Sequence, residues 1–146
     1  MQRELITFEV AGQIFGIDIM SIREIRAWTP VTPLPRVPHY IAGVVNLRGT
    51  VLPVVDLAAR LGWRPTEATH RHAIIVAQID GQARGLIVDS VSDIVTLPAA
   101  ALQPPPTTAD DGVLQFIEGL AAIDDTMVMV LALGALGAAG ELAEAA

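Results

Sequence analysis

The chain has 146 residues, enough for one domain or two very small ones; 52% of them are apolar and 4% aromatic, so any core must be aliphatic. Nine arginines, no lysine and 16 carboxylates leave a net charge of −7, which argues against a nucleic-acid binder because phosphate neutralisation needs clustered cations. The lack of cysteine and lysine excludes disulfides, thiolate metal sites, thiol catalysis, Schiff-base chemistry and the lysine of a phosphate-binding loop.

The chain opens MQRELITFEV, with no apolar leader or small-residue cleavage site, so no signal peptide is expected. Ile6, Phe8 and Val10 alternate with Thr7 and Glu9, the period of a half-buried strand. The turn Ala11, Gly12, Gln13 then leads into Ile14–Ile19 and predicts a hairpin. Ile22, Arg23, Glu24, Ile25 and Arg26 fit neither regular period; the apolar set should face the core, with Glu24 and Arg26 outside. Gly43–Leu47 and Thr50–Asp56 read as strands joined at Arg48 and Gly49, and Pro53 predicts an edge position or a bulge. Leu57–Gly62 reads as a short helical turn ending on a glycine cap, and Arg64–Arg71 as a solvated linker. Asp80 and Gly81 form the next hairpin turn, Pro98–Leu102 a short helical turn, and Asp124 and Asp125 the last hairpin turn. The Ala-rich stretch from Leu136 reads as a frayed helix, with 139–146 a loose tail. The longest apolar run, Met127 to Gly140, is 14 residues, short of the ~20 a membrane-spanning helix needs.

An internal repeat organises these elements. Val10–Ile25 aligns with Ile79–Ile94, with identities at Gly12/Gly81, Gln13/Gln82, Gly16/Gly85, Ser21/Ser90 and Ile25/Ile94. Ile41, Gly43, Thr50, Val54 and Leu57 then match Ile117, Gly119, Thr126, Val130 and Leu133, the offset having grown because the second copy holds the longer loop LPAAALQPPPTTADDG. A duplicated β unit follows. Units of roughly 60 residues are marginal alone, so the copies should share an apolar interface. The expected fold is all-β: two five-stranded barrels side by side as one folding unit, approximately 5–69 and 70–138, with strand exchange between them left open. Charge is polarised across the repeat: residues 1–73 hold 8 Arg against 6 acids, or +2, and residues 74–146 hold 1 Arg against 10 acids, or −9.

Catalytic constellations are poorly supported. His70 and His72 have metal spacing on a strand but sit in the polar linker, and His39 has no evident partner. Ser21, Ser90 and Ser92 lie in no nucleophile elbow. The pairs Asp110, Asp111 and Asp124, Asp125 fall in turns rather than a desolvated pocket. Trp28 and Trp63 read as packing residues. Arg48 at a strand end amid apolar neighbours reads equally as an interface residue or as a tie for the turn through Asp56 or Asp18.

Four blocks, FGIDIMSIREIR, VPHYIAGVVNLRGTVLPVVDL, RGLIVDSVSDIVTL and FIEGLAAIDDTMVMVLAL, running from about Leu5 to Leu133, strongly resemble the CheW family of chemotaxis coupling proteins. The resemblance implies SH3-like barrels, no catalysis and no cofactor. It implies a cytoplasmic adaptor bridging the tips of transmembrane chemoreceptors to the histidine kinase CheA of a two-component system. The kinase carries a homologous regulatory domain, and the two pair barrel to barrel into rings; the free adaptor is expected to be a monomer. Carried over by motif, the protein-binding positions are Ile19, Ile22, Glu24 and Ile25 after the first hairpin, Gly43, Asn46, Leu47, Arg48 and Gly49 in the NLRG segment, and Val88 and Asp89 in the second copy. Arg48 matches the family arginine that matters for receptor coupling, and Ile22 and Val88 are the expected apolar contacts. Neither a receiver domain nor an ATP-binding or phosphotransfer domain is seen, so a CheV-type fusion and the kinase itself are not expected. Two rivals are an adaptor of the same fold in another chemosensory pathway, such as surface motility or second-messenger control, and a small-ligand-binding barrel or enzyme.

Overall fold

The computed structural model describes residues 2–105 and 113–136. Ten strands run in chain order as β1 (Gln2–Val10), β2 (Gln13–Asp18), β3 (Ile22–Ala27), β4 (Ile41–Leu47), β5 (Thr50–Asp56), β6 (Ala73–Ile79), β7 (Gln82–Val88), β8 (Ser90–Pro98), β9 (Ile117–Ile123) and β10 (Thr126–Leu131). Two one-turn helices, α1 (Leu57–Arg60) and α2 (Leu133–Leu136), follow β5 and β10.

The strands form two five-stranded sheets, ordered β8-β1-β2-β10-β9 and β3-β6-β7-β5-β4. Each is a small five-stranded barrel of the expected kind, with β8 and β9 as the edge strands of one and β3 and β4 as those of the other. The repeat explains the match between them, since β1–β5 belong to the first copy and β6–β10 to the second. The sheets nevertheless do not follow the division into 5–69 and 70–138. Each copy lends its opening hairpin to the other's barrel, so β1 and β2 lie with β8, β9 and β10, while β6 and β7 lie with β3, β4 and β5. Parallel ladders from β2 to β10 and from β5 to β7 sew the exchanged hairpins in place.

Packing follows this exchange. The largest core lies between the barrels and is built by the exchanged hairpins, with Phe8, Phe15 and Ile17 meeting Ile75, Ile79 and Leu86. A smaller aliphatic cluster fills each barrel, around Leu52, Val54 and Ile74 in one and Leu5, Leu97 and Val130 in the other. Burying each such side chain contributes about 1.5–3 kcal/mol, so the shared core carries most of the hydrophobic stabilisation. Trp63 packs on Phe15, ring centroids 5.8 Å apart, and Trp28 packs against the cluster of the β3–β7 barrel.

All four two-residue hairpin turns have both central residues at positive φ: Ala11 and Gly12 (53° and 81°), Arg48 and Gly49 (50° and 85°), Asp80 and Gly81 (50° and 80°), and Asp124 and Asp125 (49° and 64°). This is the type I′ geometry whose twist matches that of the strands. Pro53 is not at an edge, because β5 lies between β4 and β7. It stands opposite Val44, whose own N–H and C=O bond outward to Thr32 at 2.9 Å. The antiparallel alternation therefore turns the proline nitrogen away from β4, one residue before pairing with β7 starts.

Helix α1 starts at Asp56, whose Oδ1 accepts from the Ala59 N–H and whose Oδ2 accepts from the Thr66 N–H at 2.8 Å. It ends as the glycine at 62 predicts. Gly62 (φ 88°) donates to the Ala59 carbonyl and Trp63 to that of Ala58, the paired bonds of a Schellman motif, which deliver the indole to the core. The Ala-rich tail beyond Leu136, and Asp110 and Asp111, lie outside the described residues.

Candidate functional site

The most distinctive surface is the open end of the β3–β7 barrel, and a bulge creates it. Ile22 pairs with Ala77 but Glu24 pairs with Val76, so Arg23 is an extra residue in β3. One inserted residue reverses the faces of everything after it. The expectation that Glu24 and Arg26 stay outside is thus overturned. Both lie half-buried on the inner side, opposite Val76 and Ile74, and Ile25 is left 43% exposed.

Glu24 accepts a hydrogen bond from Arg48 Nη2 at 2.6 Å and another from Arg26 Nη1 at 3.3 Å. Asp56 and Asp18, the partners considered from sequence for Arg48, are both occupied elsewhere. Asp56 caps α1 and holds Thr66, and Asp18 accepts from the Met20 N–H and from Arg3. Asn46 holds the turn from beneath by accepting the Gly49 N–H on Oδ1 at 2.8 Å. Around this rim, Leu47, Leu52, Val76 and Ala83 form an apolar floor, with Arg23 and Thr50 at the sides, enclosing an open recess of about 540 Å³.

Magnitudes distinguish the two readings of Arg48. Its side chain is 74% exposed, and an ion pair with so exposed a partner contributes about 0–1 kcal/mol. Its backbone sits at φ 50°, which costs an L-residue other than Asn, Asp or Gly roughly 1–2 kcal/mol. The pair therefore does not offset the backbone strain. As a tie for the turn Arg48 is a poor choice; as a guanidinium held out to solvent over an apolar recess it is well placed.

The remaining sequence-derived positions divide by burial. Ile19, in a 3-10 turn over Ile19–Ser21, and Ile22 are half-buried against the inter-barrel core. Gly43 is buried, and a Cβ there would collide with the carbonyl oxygen of Thr32, where the segment before β4 crosses the strand. Val88 is 1% exposed and belongs to the inter-barrel core, which corrects its expected place as an apolar contact: its side chain is packing, not surface. Asp89 lies away from the recess, accepting from the Ala11 N–H at 2.9 Å and facing His72 Nε2 at 3.3 Å. The other nitrogen of His72, Nδ1, accepts from the Thr69 N–H at 3.0 Å, so both ring nitrogens already serve the linker and Asp89. Sequence reasoning missed Met20 and Val51, which are 88% and 66% exposed. Met20 follows Asp18 in a capped turn, a legible signal; Val51 lies in an apolar run that hides its face. Elsewhere, Arg3 is held more firmly protonated by its hydrogen bond to Glu118 and, secondarily, by Asp18.

Comparison with known proteins adds the family context. A family model described as the CheW-like domain matches residues 4–140. The chain is 52% identical over 134 residues to a probable chemotaxis protein CheW of Rhizobium etli, spanning 92% of this chain and 86% of that one. It is 50% identical over 131 residues to the chemotaxis protein CheW of Rhizobium meliloti, spanning 90% and 84%. Protein FrzA of Myxococcus xanthus is 31% identical over 109 residues, 75% of this chain and 68% of that one. Among solved structures, the scaffolding protein TtCheW from Thermoanaerobacter tengcongensis superposes with a TM-score of 0.85 at 33% identity, covering 93% of this chain and 92% of that one. No helix among the described residues is long and apolar enough to cross a membrane.

Proposed function

The chain belongs to the CheW-like adaptor family of chemotaxis, and from that membership we propose that it couples the cytoplasmic tips of transmembrane chemoreceptors to a CheA-type histidine kinase. It performs no reaction of its own and works in the cytoplasm, recruited to membrane-associated receptor clusters.

The observation that carries this reading is Arg48, an exposed guanidinium on a turn that disfavours arginine, hydrogen-bonded to Glu24 above an apolar recess. Such a surface suits protein docking. The recess and the exposed Ile25 and Val51 offer apolar area to bury, while Arg48 and Glu24 set the register of a polar rim. Asn46, Gly43 and Gly49 act from behind by fixing the hairpin that presents Arg48. Val88 and Asp89 support from the second copy by packing and by holding the Ala11 turn. Signalling then needs only differential contact: a receptor state that fits the surface better biases the kinase tied to the same adaptor by that difference in affinity.

The test is Arg48→Asn, because asparagine tolerates the left-handed turn and removes the guanidinium. The expected outcome is a folded protein that binds receptor fragments at least tenfold more weakly in co-sedimentation and no longer supports receptor control of kinase activity. Intact receptor control with folded Arg48→Asn overturns the role given to this residue. The similarity to FrzA favours one second reading, an adaptor of another chemosensory pathway. Capture of the native kinase and receptors from the source cells distinguishes the two.

A further inference from the structure

Six non-glycine residues among those described hold a positive φ, and five of them sit in the hairpin turns. The sixth is Arg36, at 60°, in the segment 28–40 that runs from β3 to β4. It follows Pro35 in a tight turn. A turn with proline first ordinarily takes glycine or asparagine next, because an L side chain there crowds its own backbone. Such an outlier persists only where the surroundings impose it, and outliers collect at working sites.

Here the surroundings do impose the turn. Trp28 and Val31 pack on the cluster inside the β3–β7 barrel, and Val37 and Tyr40 on the core between the barrels. Thr32 exchanges two hydrogen bonds with Val44, and the Pro38 carbonyl accepts the Ile41 N–H at 3.0 Å. Prolines at 30, 33, 35 and 38 fix φ along the same stretch. Pro33, Pro35 and Arg36 are thus held stiffly in the open, exposed between two anchored ends.

What shapes the loop does not explain its arginine. Among the described residues the Arg36 side chain meets no hydrogen-bond acceptor, carboxylate or aromatic ring. Arg48 offsets part of its strain through Glu24, whereas Arg36 offsets none, and asparagine would serve the fold better. Arg64 and Arg71 are exposed as well, but neither has a positive φ, so neither carries a cost that needs a reason. With Thr32 held at Val44 and Pro38 at Ile41, Arg36 belongs to the start of β4, while Arg48 stands past its other end. A strand of seven residues spans roughly 20 Å.

We propose that Arg36 is a docking point separate from the recess, and that it receives a carboxylate-bearing segment of a partner protein. The guanidinium fork matches a carboxylate with two parallel hydrogen bonds. The prolines beside it offer apolar surface that is already ordered, so little entropy is lost on contact. One cation flanked by prolines fits a protein segment better than a membrane surface, which draws on clusters of basic residues. The proposal rests on the coupling reading and deepens it. An adaptor that holds receptor and kinase together needs polar anchors far enough apart for both partners to sit at once, and Arg48 and Arg36 supply two.

The lack of lysine opens a direct test. Arg36→Lys keeps the charge and the backbone demand, and it gives the chain its only lysine. Carbodiimide treatment of this variant in complex with receptor fragments and a CheA-type kinase should join that amine to a partner aspartate or glutamate as an amide, located by peptide mass spectrometry. Arg71→Lys, exposed in the linker, should give at least about tenfold less product. Arg36→Asn should unfold at the same or a higher urea concentration than the parent chain. It should also join the complex at least about fivefold more weakly, with a shallower dependence on salt. Failure of the unaltered chain to assemble with receptor and kinase overturns the coupling reading and this contact with it. Assembly without a partner amide at residue 36, or at full affinity with folded Arg36→Asn, overturns this contact alone. So does retention of the unaltered chain, but not of Arg36→Asn, on phosphatidylglycerol vesicles, which would assign the turn to a lipid surface.

Discussion

Arg60 illustrates how single side chains lock this body together. Its guanidinium lies 4.2 Å from the ring centre of Tyr40 and 4.8 Å from that of Phe116, and its Nε donates to the Leu136 carbonyl at 2.9 Å. Tyr40 and Phe116 occupy matching positions of the repeat, as do Arg60 and Leu136, so one arginine joins the two copies where they come together. Arg60→Ala should cost about 2 kcal/mol from the lost ring contacts and hydrogen bond, and Arg60→Lys a large part of that, both measured by urea denaturation. Arg48 predicts the opposite sign. Replacing it by Asn relieves the left-handed backbone and should leave stability unchanged or raise it by about 0.5–1 kcal/mol in the same assay. A variant that gains stability while losing coupling is the signature of a residue held for its partner rather than for the fold. The motif pointed to Arg48 from sequence, but its partner was not legible: Glu24 lies on a strand whose inner face is set by a bulge, and a bulge is a property of pairing, not of local pattern.

At the scale of elements, what was legible was what neighbours in sequence decide. The four hairpins announce themselves through Gly12, Gly49, Gly81 and the Asp124, Asp125 pair, because only such residues accept positive φ cheaply. The end of α1 follows from Gly62 for the same reason. Pairings that join distant segments are not readable, and Pro53 reads as an edge or bulge residue because the parallel neighbour of its strand, β7, comes some thirty residues later. A further long-range device is the crossing segment before β4. Thr32 exchanges two hydrogen bonds with Val44, and Gln103 does the same with Leu120 in the second copy. Gly43 and Gly119 make room for these crossings, since a Cβ at either would strike the carbonyl oxygen of Thr32 or Gln103. Gly43→Ala, at φ 148°, should therefore destabilise by 2 kcal/mol or more and displace the Arg48 hairpin. Thermal unfolding together with receptor co-sedimentation would show both effects.

For the molecule as a whole, the duplication was visible in the sequence because Gly, Gln and Ser recur at fixed offsets, and so was the need for a shared core. Which hairpin joins which barrel was not, because both arrangements bury the same alternating faces and leave the same pattern in the chain. The exchange has a measurable consequence. Each half of the chain lacks strands that its barrel needs, so fragments 1–66 and 67–146 should be unfolded alone by circular dichroism and regain β structure when mixed. The intact protein should melt in one cooperative step rather than two. Separate melting of two units would contradict the interleaving.

Parallel ladders that cross from copy to copy also dictate how such a body can respond to load. Pulling the two copies apart would tear backbone bonds in both sheets at once, while the barrels are held to each other by the shared core around Phe8, Phe15, Ile75 and Leu86. With a close-packed core as the joint, a push on the arginine rim would pass to the other barrel through side-chain packing. On the coupling reading proposed above, a partner held at the far rim would feel that displacement, and packing rather than any chemistry would carry the message.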